Sequence, residues 1–458
     1  MLLPPILLLI LAVAASLLWL LLVLALSVLA HEFGHALAAW ASGMVVTSLG
    51  IGSGKPLLVV RLPAAGTLLY FCRLGLRFSG VTWTFSPKGE VSRWQEILLA
   101  SGGSLVNAGI ALVSAWALTA FETLQPPFLT VWMPTVTVLL VNSVLALSFF
   151  VPHRTRHPEQ GTLPSDGLQM VSALYPAYAL GGQYGRQSVR FTGSLRTLTQ
   201  QRAFWESIGD TTMLCVALLR AADSYLRLGE REAALACWRE ASDLPLLAAV
   251  EGYRRAWSGL LAVRLGTAAD PAVSLDLAEA EFRAVGDRSG VDRVTLERLT
   301  RLGNLPPADR EVELAALQSR AGAPLLLSVL GARITLQATA AMEPDCASGE
   351  SAARIELLVS RYDAARIAYP SPVTDVHVYE MVARVRAAAG DEGGAAIAYE
   401  RALAASRRVF LALAFLPDVQ ERYAARQGPL IEAARLCCLR LGRSADAERY
   451  ARLFPARG

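Results

Sequence analysis

Two histidines four residues apart with a glutamate between them, in Ala30-His31-Glu32-Phe33-Gly34-His35-Ala36-Leu37, carry the most specific chemistry in this chain. On a helix, positions four apart lie on one face, so both imidazoles can hold one zinc ion while Glu32, one step round, stays free to move a proton. The chain has only five histidines, and such a word arises by chance in on the order of one in a few hundred sequences of this composition. It also ends a long apolar run, where Glu and His are expensive to bury without a function. Hydrolytic zinc commonly takes three protein ligands and leaves a fourth position to water, so one more donor is needed. Asp166, in Leu163-Pro164-Ser165-Asp166-Gly167, is the best candidate, with Glu159, His153 and His157 as alternatives. Taken alone, Asp166 also reads as a helix N-cap, a common role for an aspartate before an apolar helix.

The elements that must position these residues follow from the hydropathy pattern. From Ile6 to about Ala41 only Gly34 interrupts the helix-forming residues, which predicts one long helix ended by Ser42-Gly43. At about 1.5 Å per residue it exceeds a bilayer core of about 30 Å, so a tilt or a protruding end absorbs the surplus. Residues 44–87 read as short strands broken by glycine and proline, a small sheet at the membrane surface. Two further apolar helices are expected over 97–121 and 128–151, each long enough to span. Lys55, Arg61, Arg73, Arg77, Lys88 and Arg93 precede the second span, and Arg154 and Arg156 follow the third. The positive-inside rule then puts the sheet and everything after residue 152 in the cytoplasm.

The 458 residues are enough for two or three domains, and 53% hydrophobic content, concentrated in the first third, points to a membrane portion joined to a soluble one. A net charge of +4 with Arg and Glu interspersed gives no reason to expect nucleic acid as a partner. The six cysteines show no paired metal or disulfide spacing and read as reduced, mostly buried thiols. A short apolar helix near 168–180 leads into a polar linker over 181–201. Beyond it, Ala222, Tyr225, Leu228-Gly229, Ala234, Trp238 and Ala241 fall at spacings that resemble a tetratricopeptide repeat. Ala383, Gly390, Ala395, Tyr399 and Ala402 repeat those offsets, and Leu441-Gly442 with Ala447 forms a poorer third copy. The expected fold class is therefore mainly α. A polytopic membrane domain of about three spans with a small β region (1–180) precedes the linker and a soluble helical repeat-like domain (202–458).

The order of motifs resembles the site-two protease family of intramembrane zinc metalloproteases. That family sets the metal word on its first core helix, then a glycine-rich sheet region, a Gly-Pro-x-x-Asn word and a downstream Asp-Gly. Here Gly103-Ser104-Leu105-Val106-Asn107 stands for the second word, with serine in place of proline, and Asp166-Gly167 for the third. The resemblance covers about residues 1–180 and implies that His31, His35 and Asp166 hold zinc, that Glu32 is the catalytic base and that Asn107 belongs to the site. Helix packing is the competing role for Asn107. At about 1.5 Å per residue, His35 and Asn107 would lie about 9 and 15 Å in from the cytoplasmic ends of their helices, so all the donors can meet.

These readings imply cleavage of membrane-embedded protein substrates, regulated intramembrane proteolysis, by a protein of the lipid bilayer, expected in a bacterial cell membrane. The helical domain would recruit or regulate a cytoplasmic protein partner. One rival is a protease-like scaffold that acts through its helical domain. Another is an anchored enzyme whose soluble catalytic part takes Glu90 or Glu96 as third ligand, against which the short, strand-like 44–95 segment argues.

Overall fold

The computed structural model describes residues 5–52, 54–63, 66–73, 79–88, 91–122, 128–148, 151, 154–157, 161–174, 186–303, 305–342, 349–368 and 370–454. The chain divides into two compact units, one of residues 1–179, 200–214 and 245–249, the other of residues 180–199, 215–244 and 250–458.

In the first unit the apolar N-terminal run forms a single 37-residue helix, α1 (Pro5–Ala41), with no charged residue before Glu32. Four strands follow: β1 (Val45–Ile51), β2 (Pro56–Arg61), β3 (Leu68–Cys72) and β4 (Gly80–Phe85). They pair in the order β2-β3-β1-β4, with β1 parallel to β3 and the other pairs antiparallel. The end of α1 packs on this sheet through Ala36 and Ala39 against Val46 and Leu49. Two more apolar helices, α2 (Arg93–Glu122) and α3 (Phe128–Ser148), precede a hairpin of β5 (Arg154–His157) and β6 (Gly161–Pro164) and the short α4 (Asp166–Leu174).

Large apolar side chains face outward along these helices, among them Leu9, Leu18, Leu112, Trp116 and Leu147. So continuous an apolar surface suits lipid and not water. Two helical stretches are long and apolar enough to cross a bilayer, Ile6–Ala41 and Trp94–Ala120; the described apolar part of α3, Pro134–Leu147, is shorter. The expected third span over 128–151 lies partly outside the described residues.

The stretch read as a linker, 181–201, is helical from Arg186 onward in α5 (Arg186–Ile208). Leu195 and Leu198 recur there at helical spacing and are both buried. Its C-terminal turns belong with the first unit. Phe204 and Trp205 meet Tyr70 and Trp83 of the sheet edge-on, each at 5.3 Å between ring centroids. The Ser48 hydroxyl donates to Asp210 Oδ2 at 2.6 Å, and Asp210 Oδ1 accepts the Met213 N–H at 3.0 Å. Burial pushes the Asp210 carboxyl above its usual range, and these donors hold the rise back.

The second unit is all helical. It contains α5 up to residue 199, α6 (Thr211–Arg227) from residue 215, α7 (Arg231–Asp243), α8 (Ala248–Leu265) from residue 250, α9 (Pro271–Val285), α10 (Arg288–Arg301), α11 (Pro307–Arg320) and α12 (Ala323–Ala341). The rest is α13 (Gly349–Ala368), α14 (Pro372–Ala388), α15 (Glu392–Ala412), α16 (Pro417–Arg426), α17 (Gly428–Arg440) and α18 (Ser444–Ala451). The alanines with repeat-like spacing are fully buried where neighbouring helices meet: Ala222, Ala234 and Ala241, then Ala383, Ala395 and Ala402. Gly229, Gly390 and Gly442 make the turns after α6, α14 and α17 with φ of 79°, 80° and 72°, a conformation that favours glycine. Cys72, Cys215, Cys437 and Cys438 are buried and Cys237 is half-buried, while Cys346 lies outside the described residues.

The crossing of α1 and α2 is set by glycine. A Cβ on Gly34 would lie 2.4 Å from the Gly102 carbonyl oxygen, and one on Gly102 would lie 2.6 Å from the Gly34 carbonyl oxygen. Both obstacles are backbone, so relief requires the helices to move apart, an overpacking cost of about 1–3 kcal/mol. Gly34→Ala is expected to lower the thermal unfolding midpoint of the detergent-solubilised protein. Gly109→Ala, on the same α2 where an added Cβ meets nothing within 4 Å, should leave it unchanged or raise it. Equal midpoints for the two variants would show that the crossing does not depend on Gly34.

Candidate metal centre

α1 presents His31, Glu32 and His35 near its C-terminal end, and all three are buried although they are the most polar residues of the helix. α4 begins with Asp166. Its first turn is capped by Ser165, whose Oγ accepts the Leu168 N–H at 3.3 Å, so the N-cap role open to Asp166 from sequence is filled by its neighbour. The Asp166 carboxylate points instead at the two imidazoles.

His31 Nε2 lies 3.0 Å from His35 Nε2 and 3.0 Å from Asp166 Oδ2, and His35 Nε2 lies 3.2 Å from the same oxygen. Hydrogen bonds alone do not account for such a triangle, because a neutral imidazole has one N–H to place and each ring has a second partner at Nδ1. Ligands about 2.0–2.1 Å from a tetrahedral metal stand about 3.3 Å apart, close to the observed edges. The three are the one group of possible metal ligands among the described residues, their donor atoms within 4.8 Å of one another.

The partners at Nδ1 set the rings for this task. His35 Nδ1 donates to the Leu99 carbonyl of α2 at 2.6 Å, which leaves the Nε2 lone pair free. His31 Nδ1 lies 3.3 Å from the Asn107 amide nitrogen, while Asn107 Oδ1 is buried without a hydrogen-bond partner. The two ends of an amide interchange by a half-turn. Turned so, the orphaned Oδ1 accepts the His31 Nδ1–H, and His31 Nε2 also faces inward with a lone pair. The residues present therefore fit a divalent metal held by His31, His35 and Asp166.

Glu32 stays out of the triangle. The Thr82 hydroxyl of β4 lies 2.7 Å from Glu32 Oε2 and 2.9 Å from the Glu32 backbone carbonyl, so the sheet fixes this carboxylate. Two glycines make room for the side chains. A Cβ on Gly103 would lie 2.4 Å from the His31 ring, and one on Gly80 would lie 2.4 Å from Glu32 Cγ.

A family model for peptidase family M50 matches residues 19–366. The chain belongs to peptidase family M50. This is the site-two protease family to which the motifs point, and membership supports a metallopeptidase and a membrane protein. Neither the curated proteins nor the solved structures hold a match to the chain.

The structure thus brings together His31, Glu32 and His35 of α1 with Asn107 of α2 and Asp166 of α4. Of the alternative donors, Glu96 is exposed in the first turn of α2 and outside the cluster. His153, Glu159 and Glu90 lie outside the described residues, and of His157 only the backbone, paired with Gly161, is described. Sequence reasoning missed Thr82, Gly80 and the Leu99 carbonyl. Thr82 looks like any outward residue of an alternating strand, and a backbone acceptor leaves no trace in side-chain identity. The pair Gly102-Gly103 inside an apolar helix was the one available signal of close approach.

Because Asn107 acts on the outer nitrogen of a ligand ring, Asn107→Ala is expected to weaken metal binding about tenfold to a hundredfold. Asn107→Asp, which keeps an acceptor at the same place, should largely restore it. Competition with a chromophoric chelator, using purified protein in detergent, measures both. Unchanged affinity in the alanine variant would leave Asn107 as packing only.

Proposed function

We propose that this chain is an intramembrane zinc endopeptidase that cleaves membrane-embedded protein substrates, the reaction class of regulated intramembrane proteolysis. The observation that carries the reading is the triangle of Asp166 with His31 and His35 of an apolar helix, with the buried carboxylate of Glu32 beside it. Zinc suits two imidazoles and a carboxylate with tetrahedral spacing, and when bound it would supply a Lewis acid and an acidified water. Glu32 takes up a proton at its carboxylate and returns it to the departing amine, and Thr82 orients Oε2 for both transfers. Asn107 and Leu99 keep both ligand rings aimed inward throughout. The buried surroundings limit the water that reaches the site.

A substrate helix has its carbonyls already hydrogen-bonded, so it must unwind before attack. β4 is the terminal strand of the sheet among the described residues, and its free edge suits an extended segment added by strand pairing. We place the sheet and the helical unit in the cytoplasm with three spans and the N-terminus outside, on the one-sided distribution of lysine and arginine. The helical unit, with alanines buried at repeat-like spacing, then recruits or regulates a cytoplasmic protein partner. The complete set of donors speaks against a scaffold without catalysis.

Ligands and base have different tasks, which separates their variants. Glu32→Gln should keep zinc and lose cleavage by a factor of at least about 10². Asp166→Ala should weaken zinc as well, since a donor is lost. Gly80→Ala should behave like the glutamine variant, keeping zinc while the displaced Glu32 slows cleavage. Zinc content by atomic emission and cleavage of a membrane-embedded peptide reporter, followed on the same preparations, give both readouts. A Glu32→Gln protein that cuts as fast as its parent would overturn the assignment of the base.

The topology is checked with reporter fusions. A fusion after Arg156 is expected to report the cytoplasm, and an extracytoplasmic signal there would overturn the three-span arrangement.

A further inference from the structure

The helical unit contains a cleft of about 800 Å³ between α6, α8, α10, α11, α12 and α14. That volume lies within the range of ligand-binding pockets. Its charged lining consists of Arg227, Arg264, Arg293, Arg301 and Arg310 against a single carboxylate, Glu297. A second carboxylate, Asp223, stands behind the wall. Asp223 pairs with Arg227 at 3.0 Å and with Arg264, while Glu297 takes Arg264 and Arg301, each at 2.7 Å. Three arginines thus use up two carboxylates.

Arg293 is left over. It has no ion pair or hydrogen bond among the described residues; its guanidinium lies 5.7 Å above the Trp257 ring and within the fields of Arg227 and Arg264. Burial and those two like charges make it easier to deprotonate than a free arginine. Burial pushes the Asp223 carboxyl up, but Arg227, Arg264 and Arg293 outweigh it and hold it at about 2. The nearby Asp223 and Asp287 offset part of that repulsion. Arg310 donates to the Leu305 carbonyl and has no ion pair among the described residues either, so arginines still outnumber carboxylates around the cleft and favour an anion that arrives from outside.

The rest of the lining says what kind of anion. Leu296, Leu299, Leu314 and Leu336 form an apolar wall, and Ser328, Thr335 and Thr339 add hydroxyls able to meet backbone N–H and C=O groups. An inorganic ion would leave that wall exposed to water. We infer that this cleft binds an extended peptide that carries a carboxylate, received by Arg293, between apolar side chains laid on the leucine wall. This gives the helical unit's partner role a site and rests on that role for its use in the cell, but peptide binding itself is independent of proteolysis.

The test uses the full-length Glu32→Gln protein in detergent, which cannot consume the probe. A short fluorescent leucine-glutamate peptide is titrated by polarisation beside its leucine-glutamine counterpart. The glutamate peptide should bind at least tenfold more tightly, and Arg293→Met should abolish that difference. Arg293→Met should also unfold near the parent's temperature, because Arg293 makes no ion pair or hydrogen bond among the described residues and methionine can still pack on the Trp257 ring. A merely structural arginine would lower it. Thr339→Glu, an exposed position on the lining, should weaken the glutamate peptide by a similar factor through charge repulsion. Equal binding of the two peptides, or full affinity in Arg293→Met, overturns the proposal. So does complete displacement of the peptide by low-millimolar inorganic phosphate, which would mark a simple anion site. Loss of zinc or of cleavage in the parent protein leaves these outcomes unaffected, so failure of the protease reading and failure of the peptide site are told apart.

Discussion

The contact on which the site depends is the close approach of α1 and α2 at Gly34, Gly102 and Gly103. With no side chain between them, the two backbones approach so closely that a Cβ added to Gly34 would lie 2.4 Å from the Gly102 oxygen. Only at that separation does α2 supply an acceptor to each ring of α1. Leu99 reaches His35 and Asn107 reaches His31, in the reversed order expected of antiparallel helices. In a lipid environment, where the hydrophobic effect gives no drive between helices, small residues and interhelical hydrogen bonds are what hold such a pair. The same glycines therefore serve the fold and the orientation of the ligands.

The parts of this arrangement that were legible in the sequence are those written in side-chain type and period. His31, Glu32 and His35 declare themselves by spacing on one helix, the long apolar run to Ala41 shows its helix, and the alternating 44–87 stretch shows its small sheet. Asp166 was legible as the best of four donors and through the family resemblance, while Ser165, which takes over the cap, became visible only in the structure. The linker expected over 181–201 was misleading for a physical reason: its polar composition hides the spacing of Leu195 and Leu198, and the helix is held by packing more than by propensity. Thr82, Gly80 and the Leu99 carbonyl were illegible because their roles depend on three-dimensional proximity to residues far along the chain, as from Thr82 to Glu32 (50 positions) or Leu99 to His35 (64 positions).

Donors from separate segments have an energetic consequence. His31 and His35 are on α1, Asp166 is on α4 beyond two further helices, and their support comes from α2. Bringing a carboxylate to two imidazoles without a cation costs ordering entropy and desolvation. A metal that binds only the assembled arrangement contributes its binding free energy to the assembly. Metal affinity and the stability of the α1, α2 and α4 packing are then one quantity seen in two measurements. A substitution at Gly34, which is not itself a ligand, acts on both.

Glu32 is tied to a different neighbour, and that difference gives the sheet its place in the chemistry. The Glu32 carboxylate, the base on the proposed reading, rests on β4 through Thr82 and not on α2, so a shift of β4 bears on the base more directly than on the ligand rings. β4 is also an edge strand of the sheet, the place where an extended substrate would pair on the proposed reading. A peptide that adds there forms its hydrogen bonds on one side of the strand whose Thr82 and Gly80 position Glu32. Substrate binding and alignment of the base are then coupled through six residues of backbone, Gly80 to Phe85. An intact helix offers no free N–H or C=O groups to that edge. The strand that orients the base therefore selects for a segment already unwound, the state a membrane-embedded chain must reach before its carbonyl can be attacked.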